Sequence, residues 1–189
     1  MACARLAMIK EGVKQPRMED YASLTSFLLK MGIDTSEMLC FKDTSALNHF
    51  YTQNIGIPDS RFFNQHQDLV DYRQSPQDCN GMVAVFLEHI ETIKTKEPIA
   101  NHPIGNYLQE LVYVTNQEPF HLEPGAYDLY LIIYWAKYLG KINKHKVFDW
   151  LSLVEAAQKR NIRIRVIKID ADYQKAWNLT REELPHFKH

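Results

Sequence analysis

Residues 130–145 read YLIIYWAKYLGKINKH, and the fold turns on them. The run that contains their first part, LYLIIYWA (129–136), is almost unbroken in apolar character. That is the pattern of a central strand buried on both faces. It ends at Trp135-Ala136, meets Gly140, and passes into a charged, helix-like segment. Many folds place a reactive group at such a strand-to-helix junction. A phosphate-binding loop would need a glycine five positions before the Gly140-Lys141 pair and a Ser or Thr after it. Trp135 and Ile142 stand in those places, so the parts that would wrap a phosphate and hold magnesium are missing.

Working outward, KHKVFDWLSLVEAAQKRN reads as a helix with Val147, Trp150, Leu151 and Val154 on one side. IRIRVIKID alternates as a strand, with Arg163, Arg165 and Lys168 on its exposed side, and YQKAWNLTREEL reads as a final helix. Upstream, PRMEDYASLTSFLLKMGID is a helix with Leu24, Phe27, Leu28 and Met31 on one face, stopped near Gly32. EMLCFKD is a short strand, SALNHFYTQNIG a helix, and IPDSRFFNQHQDLVDYR two strands around a polar turn. CNGMVAVFLEHIETIK is an amphipathic helix whose inward face is expected to carry Met82, Val85, Phe86, His89, Ile90 and Ile93. TKEPIANHPIGN has the composition of a linker, and ELVYVT that of a strand. Strands alternating with helices at these lengths predict parallel neighbours joined by right-handed crossovers, in an α/β sandwich of three layers with a mixed sheet. The expected segments are 1–97, a linker over 98–110, and 111–189.

A chain of 189 residues suits one large domain or two small ones, and 46% hydrophobic content is enough for a well-filled core. The net charge of -1 makes nucleic acid and anionic membranes poor default partners. No apolar run approaches a membrane span, and residues 1–15 are too short and polar for a signal peptide. The chain therefore reads as cytoplasmic as given, or as periplasmic or secreted if it belongs to a longer precursor. Its three cysteines, Cys3, Cys40 and Cys79, have no zinc or disulfide spacing, and its eight histidines are scattered. No metal or cofactor is expected. Two thiols are candidates for chemistry. Cys79 stands at a predicted helix start, where a thiolate is stabilised, and Cys40 lies within a short strand.

The second half, YLIIYWAKYLGKINKH…FDWLSLVEAAQKRNIRIRVIKIDADYQKAW, resembles the first part of a thioredoxin-like domain of the TlpA or AhpC-TSA type. In such domains a buried strand ends in W-A-x-W-C-x-x-C and a long helix follows. A strand ending in Asp comes next, then a helix that often carries K-x-W. Trp135-Ala136, Gly140, Asp170 and Lys175-Ala176-Trp177 carry that pattern here. MLCFKDTSALNHFYTQNIGIPDSRFFNQHQDLVDYR…MVAVFLEHI resembles the remainder of the same fold. The resemblance implies that Pro58, after Ile57, is cis and faces the loop. Together the matches cover about residues 20–95 and 127–187.

Two departures shape the functional expectation. The halves run in reversed order, which implies a circular permutation, a split or duplicated pair of domains, or halves swapped between chains in a homo-oligomer. The redox motif is also gone: Tyr138 takes the second Trp slot, Leu139 that of the attacking cysteine and Ile142 that of the resolving one. Disulfide exchange needs a low-pKa thiolate and a second thiol, and neither Leu nor Ile supplies one. The resemblance therefore implies a noncatalytic, peptide- or protein-binding module. Its groove would be lined by Ile57, Pro58, Tyr138, Leu139 and Ile142, beside the vestigial loop positions Gly140 and Lys141. The alternative is a thiol-disulfide oxidoreductase or peroxidase that uses Cys79 or Cys40.

Overall fold

The apolar run does form the central strand. In the computed structural model, which describes residues 10–53, 56–73, 82–91, 96–123, 125 and 127–185, every residue of Leu129–Trp135 is buried. Eight strands are described: β1 (Met18–Glu19), β2 (Leu39–Phe41), β3 (Asp59–Asn64), β4 (Leu69–Val70), β5 (Leu111–Tyr113), β6 (Leu129–Trp135), β7 (Ile164–Asp170) and β8 (Tyr173–Gln174). Six make one mixed sheet in the order β4-β3-β6-β7-β2-β5, and β1 pairs with β8 in a small parallel ribbon. β6 runs parallel to β7, and β7 parallel to β2. β3 is antiparallel to β6, while β4 and β5 close the two edges antiparallel to β3 and β2. Strands 59–64 and 129–135 come from opposite halves of the sequence, so the sheet is built by both.

The alternation of β6 assigns its side chains to two cores. Leu129, Leu131, Ile133 and Trp135 face one cluster with α1 (Tyr21–Lys30), α3 (Met82–Glu88) and α5 (Trp150–Lys159). Tyr130, Ile132 and Tyr134 face the other, with α2 (Thr44–Gln53) and the short α4 (Gly105–Leu108). The result is the expected three-layer α/β sandwich with a mixed sheet. Asp20 caps α1 by accepting a hydrogen bond from the Ser23 N–H at 2.9 Å. Leu24 and Leu28 of that helix are fully buried.

Four expectations need correcting. The inward face of α3 carries Val83, Phe86 and Leu87, while Val85 is exposed and His89 lies outside the helix, so the face is rotated from the one read in the sequence. With apolar residues at nearly every position from 82 to 87, the periodicity did not single out one stripe. Ile93 lies outside the described residues. The expected final helix is instead β8 followed by short 3-10 turns over Lys175–Trp177 and Arg181–Glu183. Asn178 stands at φ 53, a left-handed conformation that ends the first turn. The expected linker packs onto the β3–β4 hairpin: Ile104 N–H donates to Gln67 O at 2.7 Å, and Ile104 and Leu108 are buried. Its prolines and glycine shape a cover over the hairpin rather than a free tether. Lys168 is not on an exposed face either; it is buried and its Nζ donates to Asp34 O at 2.6 Å and Oδ2 at 3.0 Å. Two hydrogen bonds from Ser36, then that contact, hold the Asp34 carboxyl down at about 2.

Candidate functional site

The C-terminal ends of the parallel strands gather the residues singled out in the sequence. Asp59 stands opposite Tyr134 and Trp135 opposite Asp170. Pro58 therefore sits at the sheet end from which the 136–142 loop departs. The Ile57–Pro58 peptide bond is cis. Ile57, Pro58, Leu139, Gly140 and Ile142 are half-buried, Lys141 is exposed, and Tyr138 is buried. Tyr51, on α2, bridges these parts. Its hydroxyl donates to Ala171 O at 3.1 Å and lies 3.3 Å from the Tyr138 hydroxyl. Burial pushes the Tyr138 hydroxyl up to about 12, so it stays protonated and serves as a neutral hydrogen-bonding group.

The loop itself is a tight construction. After Ala136 the chain makes one 3-10 turn over Lys137–Leu139, reverses at Gly140 with φ 57, and enters the helical stretch before Asp149. Asn143 is fully buried inside that turn. Its Oδ1 accepts from Ala136 N–H at 3.2 Å, and its Nδ2 donates to Ala136 O at 2.8 Å and Gly140 O at 3.1 Å. One amide side chain thus closes both ends of the loop.

Leu139 and Ile142 give the loop hydrocarbon side chains, both half-buried. Cys40, the nearest described thiol, is fully buried on β2 opposite Asp170. Burial pushes its pKa up to about 12, so the thiol is held protonated at neutral pH. Cys79 lies outside the described residues.

The sequence reading missed two features of this site. One is a strap. Residues 11–14 lie across the loop: Lys14 N–H donates to Tyr138 O, and Lys141 N–H donates to Glu11 O, both at 2.8 Å. Gly140 is required for that approach. A Cβ there would stand 2.5 Å from Glu11 O and 2.6 Å from Gly12 O. Just after the strap, β1 pairs in parallel with β8, with Met18 opposite Tyr173.

The other is a buried acid pair. Asp170 and Asp172 are both fully enclosed at the end of β7. Gln174 Nε2 donates to Asp170 Oδ2 at 2.6 Å, and the Lys137 N–H donates to Asp172 Oδ2. Beside them Glu19 takes the Lys137 ammonium at 2.6 Å and the Ser23 hydroxyl, tying β1 to the loop. Burial raises Asp170 well above the carboxylate range, and the charge of Asp172 raises it further. Burial pushes Asp172 up to about 6, against the hydrogen bond from the Lys137 N–H. Two enclosed carboxyls this close disfavour ionising together. The Asp-Ala-Asp at the end of an apolar strand was a legible signal, since two buried carboxyls so close cannot both ionise cheaply.

Both shifts are upward, which fixes the sign of the pH dependence. The stability these carboxyls contribute is complete below about pH 4 and is lost as pH rises through about 6 for Asp172. Asp20 and Asp71 are shifted down and act oppositely, losing their contribution as pH falls below the ordinary carboxylate range. Stability is therefore expected to peak near pH 5. The urea midpoint should fall between pH 5 and pH 7.5, by an amount equivalent to on the order of 1–3 kcal/mol. Asp172→Asn keeps an acceptor for the Lys137 N–H and should flatten that slope. A midpoint that rises over this interval would mean the pair is not protonated as argued.

Among the described residues, no group of three or more His, Cys, Asp or Glu side chains is arranged to hold a metal ion. Among them, too, no helix is long and apolar enough to cross a membrane. Comparison with known proteins returns no matching family model, no matching curated protein and no matching solved structure.

Proposed function

We propose that the chain is a noncatalytic binding module with a permuted thioredoxin-like core, which takes an extended peptide at the end of the sheet where its relatives by resemblance do redox chemistry. The observation that carries this reading is the placement of the 136–142 loop and the Ile57-Pro58 step on adjacent strands, β6 and β3, at one end of the sheet. The strand order β4-β3-β6-β7 supports it. So does the packing of α3 against α5 on one face, with α2 on the other. These are the relations the resemblance implies, read with the two halves exchanged in order.

The chemistry of the loop supports binding without turnover. Leu139 and Ile142 are half-buried hydrocarbon, and the Cys40 thiol is enclosed and held protonated. Extended peptides are commonly held by main-chain hydrogen bonds for affinity and side-chain pockets for selectivity, and a half-buried apolar rim offers such pockets. The strap already shows the loop bonding another segment through its backbone, at Tyr138 O and Lys141 N–H.

The test is a selection of extended peptides from an unbiased displayed library, followed by binding measurements on purified protein. Enriched peptides are expected to bind the wild type. They should lose about tenfold or more with Leu139→Asp and Ile57→Asp combined, while circular dichroism shows the fold intact. If no peptide is enriched, or if enriched peptides ignore both substitutions, the reading fails.

A further inference from the structure

The near-neutral total charge conceals a strong separation. Residues 10–17 and 137–146 hold seven of the 22 Lys and Arg residues but only one, Glu11, of the 23 Asp and Glu residues. The rest of the chain holds 15 basic and 22 acidic residues, so these two segments carry an excess of six positive charges against seven negative ones elsewhere. The segments lie more than a hundred residues apart in sequence, yet the strap's two backbone hydrogen bonds to the loop bring them together.

Lys137 is engaged by Glu19. The other six cations, Lys10, Lys14, Arg17, Lys141, Lys144 and Lys146, are exposed. Among the described residues none of these six makes an ion pair or a side-chain hydrogen bond. Several cations elsewhere on the surface are met locally, as Arg73 is by Asp71 and Lys175 by Asp20.

We propose that the strap and loop together form a docking face for an acidic, extended segment of a partner protein. This rests on the peptide-binding reading above and adds the charge of the ligand. Glu11 shows in cis what such a ligand does. It is the one acidic residue of the strap, its backbone carbonyl accepts from Lys141 N–H, and its carboxylate lies 3.9 Å from His145 Nε2. A carboxylate thus already sits against this loop, carried at the end of a short helical stretch.

The face is poorly suited to the other polyanions. Nucleic acid without sequence readout is held by stacking on exposed aromatics. The one aromatic of these segments, Tyr138, is buried. Anionic membranes are held by basic residues together with inserted apolar side chains. Leu139 and Ile142 are half-buried, and no large apolar residue in either segment is exposed. Basic side chains from two segments that the backbone brings together suit clustered carboxylates through ordinary screened attraction.

Fluorescence anisotropy with a labelled twelve-residue peptide, Glu at alternate positions among small residues, tests the proposal directly. Three comparators are the same peptide with Gln for Glu, a single-stranded RNA of equal length, and vesicles of phosphatidylserine and phosphatidylcholine. The Glu peptide is expected to bind about tenfold or more tighter than the Gln peptide, and to weaken steeply between about 50 and 300 mM salt. Combined Lys14→Glu, Lys141→Glu and Lys144→Glu should cost about tenfold or more. Reversal of Lys30, Lys159 and Arg181, which lie elsewhere, should cost less than about twofold. Equal binding of the Glu and Gln peptides, indifference to the first reversal, or tighter binding of RNA or vesicles overturns the proposal. Library peptides that are neutral and unaffected by lysine reversal, yet lost with Leu139→Asp and Ile57→Asp, would sink the charge assignment and keep the groove. Absence of any bound peptide would remove both.

Discussion

Trp135→Ala is expected to lower the free energy of unfolding by about 3–5 kcal/mol, the largest effect of any single truncation at the sheet end. Trp135 is fully buried. Its ring stacks on Phe27 with centroids 5.8 Å apart at an interplanar angle of 8°, and lies 5.8 Å from the Phe148 ring. It therefore joins α1 and the helical stretch after the loop to the last residue of the central strand. Removing it empties the centre of that layer, and the neighbours, held by separate elements, cannot all collapse into the space. Trp135→Phe should cost far less, about 1 kcal/mol. The indole Nε1 has no acceptor among the described residues, so losing it removes an unsatisfied donor along with some contact. Urea denaturation of both variants checks the pair. A cost for the alanine variant below that of the phenylalanine variant would contradict the packing described.

Asn143→Ala is expected to cost about 2–4 kcal/mol, and the damage should be local. The substitution strips the Ala136 N–H and the Gly140 carbonyl of their side-chain partner, and leaves Ala136 O with only the Leu139 N–H at 3.0 Å. These groups are enclosed, so water does not replace the lost bonds without opening the loop. Asn143→Asp should be no better, because it removes both donated bonds and buries a charge. Hydrogen exchange distinguishes this from general destabilisation. Amides from 136 to 141 should exchange faster, by an amount well beyond any change in α3. Unchanged exchange across the loop would show that Asn143 does not hold it.

The central strand, the helix after the loop and the β3–β4 hairpin were readable because each has one strong periodicity and a clear turn. The loop was readable as a strand-to-helix turn built on Gly140. What stayed hidden depends on contacts between distant residues. Nothing local marks residues 11–14 as the cover of a loop at 138–141. Nothing local says that Lys168 will find Asp34, since a lysine alternating with isoleucines looks like an exposed one. Asn143 reads as an ordinary helix residue until the chain folds back to present Ala136 and Gly140 to it. The final helix failed for the converse reason. Its residues have adequate helical propensity, but Tyr173 and Gln174 gain backbone partners in β1 that propensity does not register.

The strap and loop are joined antiparallel, 14 to 138 and 11 to 141, with three peptide units on each side of the ring. Such a ring measures length. A substitution at Val13 leaves both bonds in place, whereas one residue added or removed between positions 11 and 14 breaks one of them whatever its side chain. Tolerance in this segment should therefore divide sharply: permissive to changes of identity at position 13, intolerant of changes in spacing.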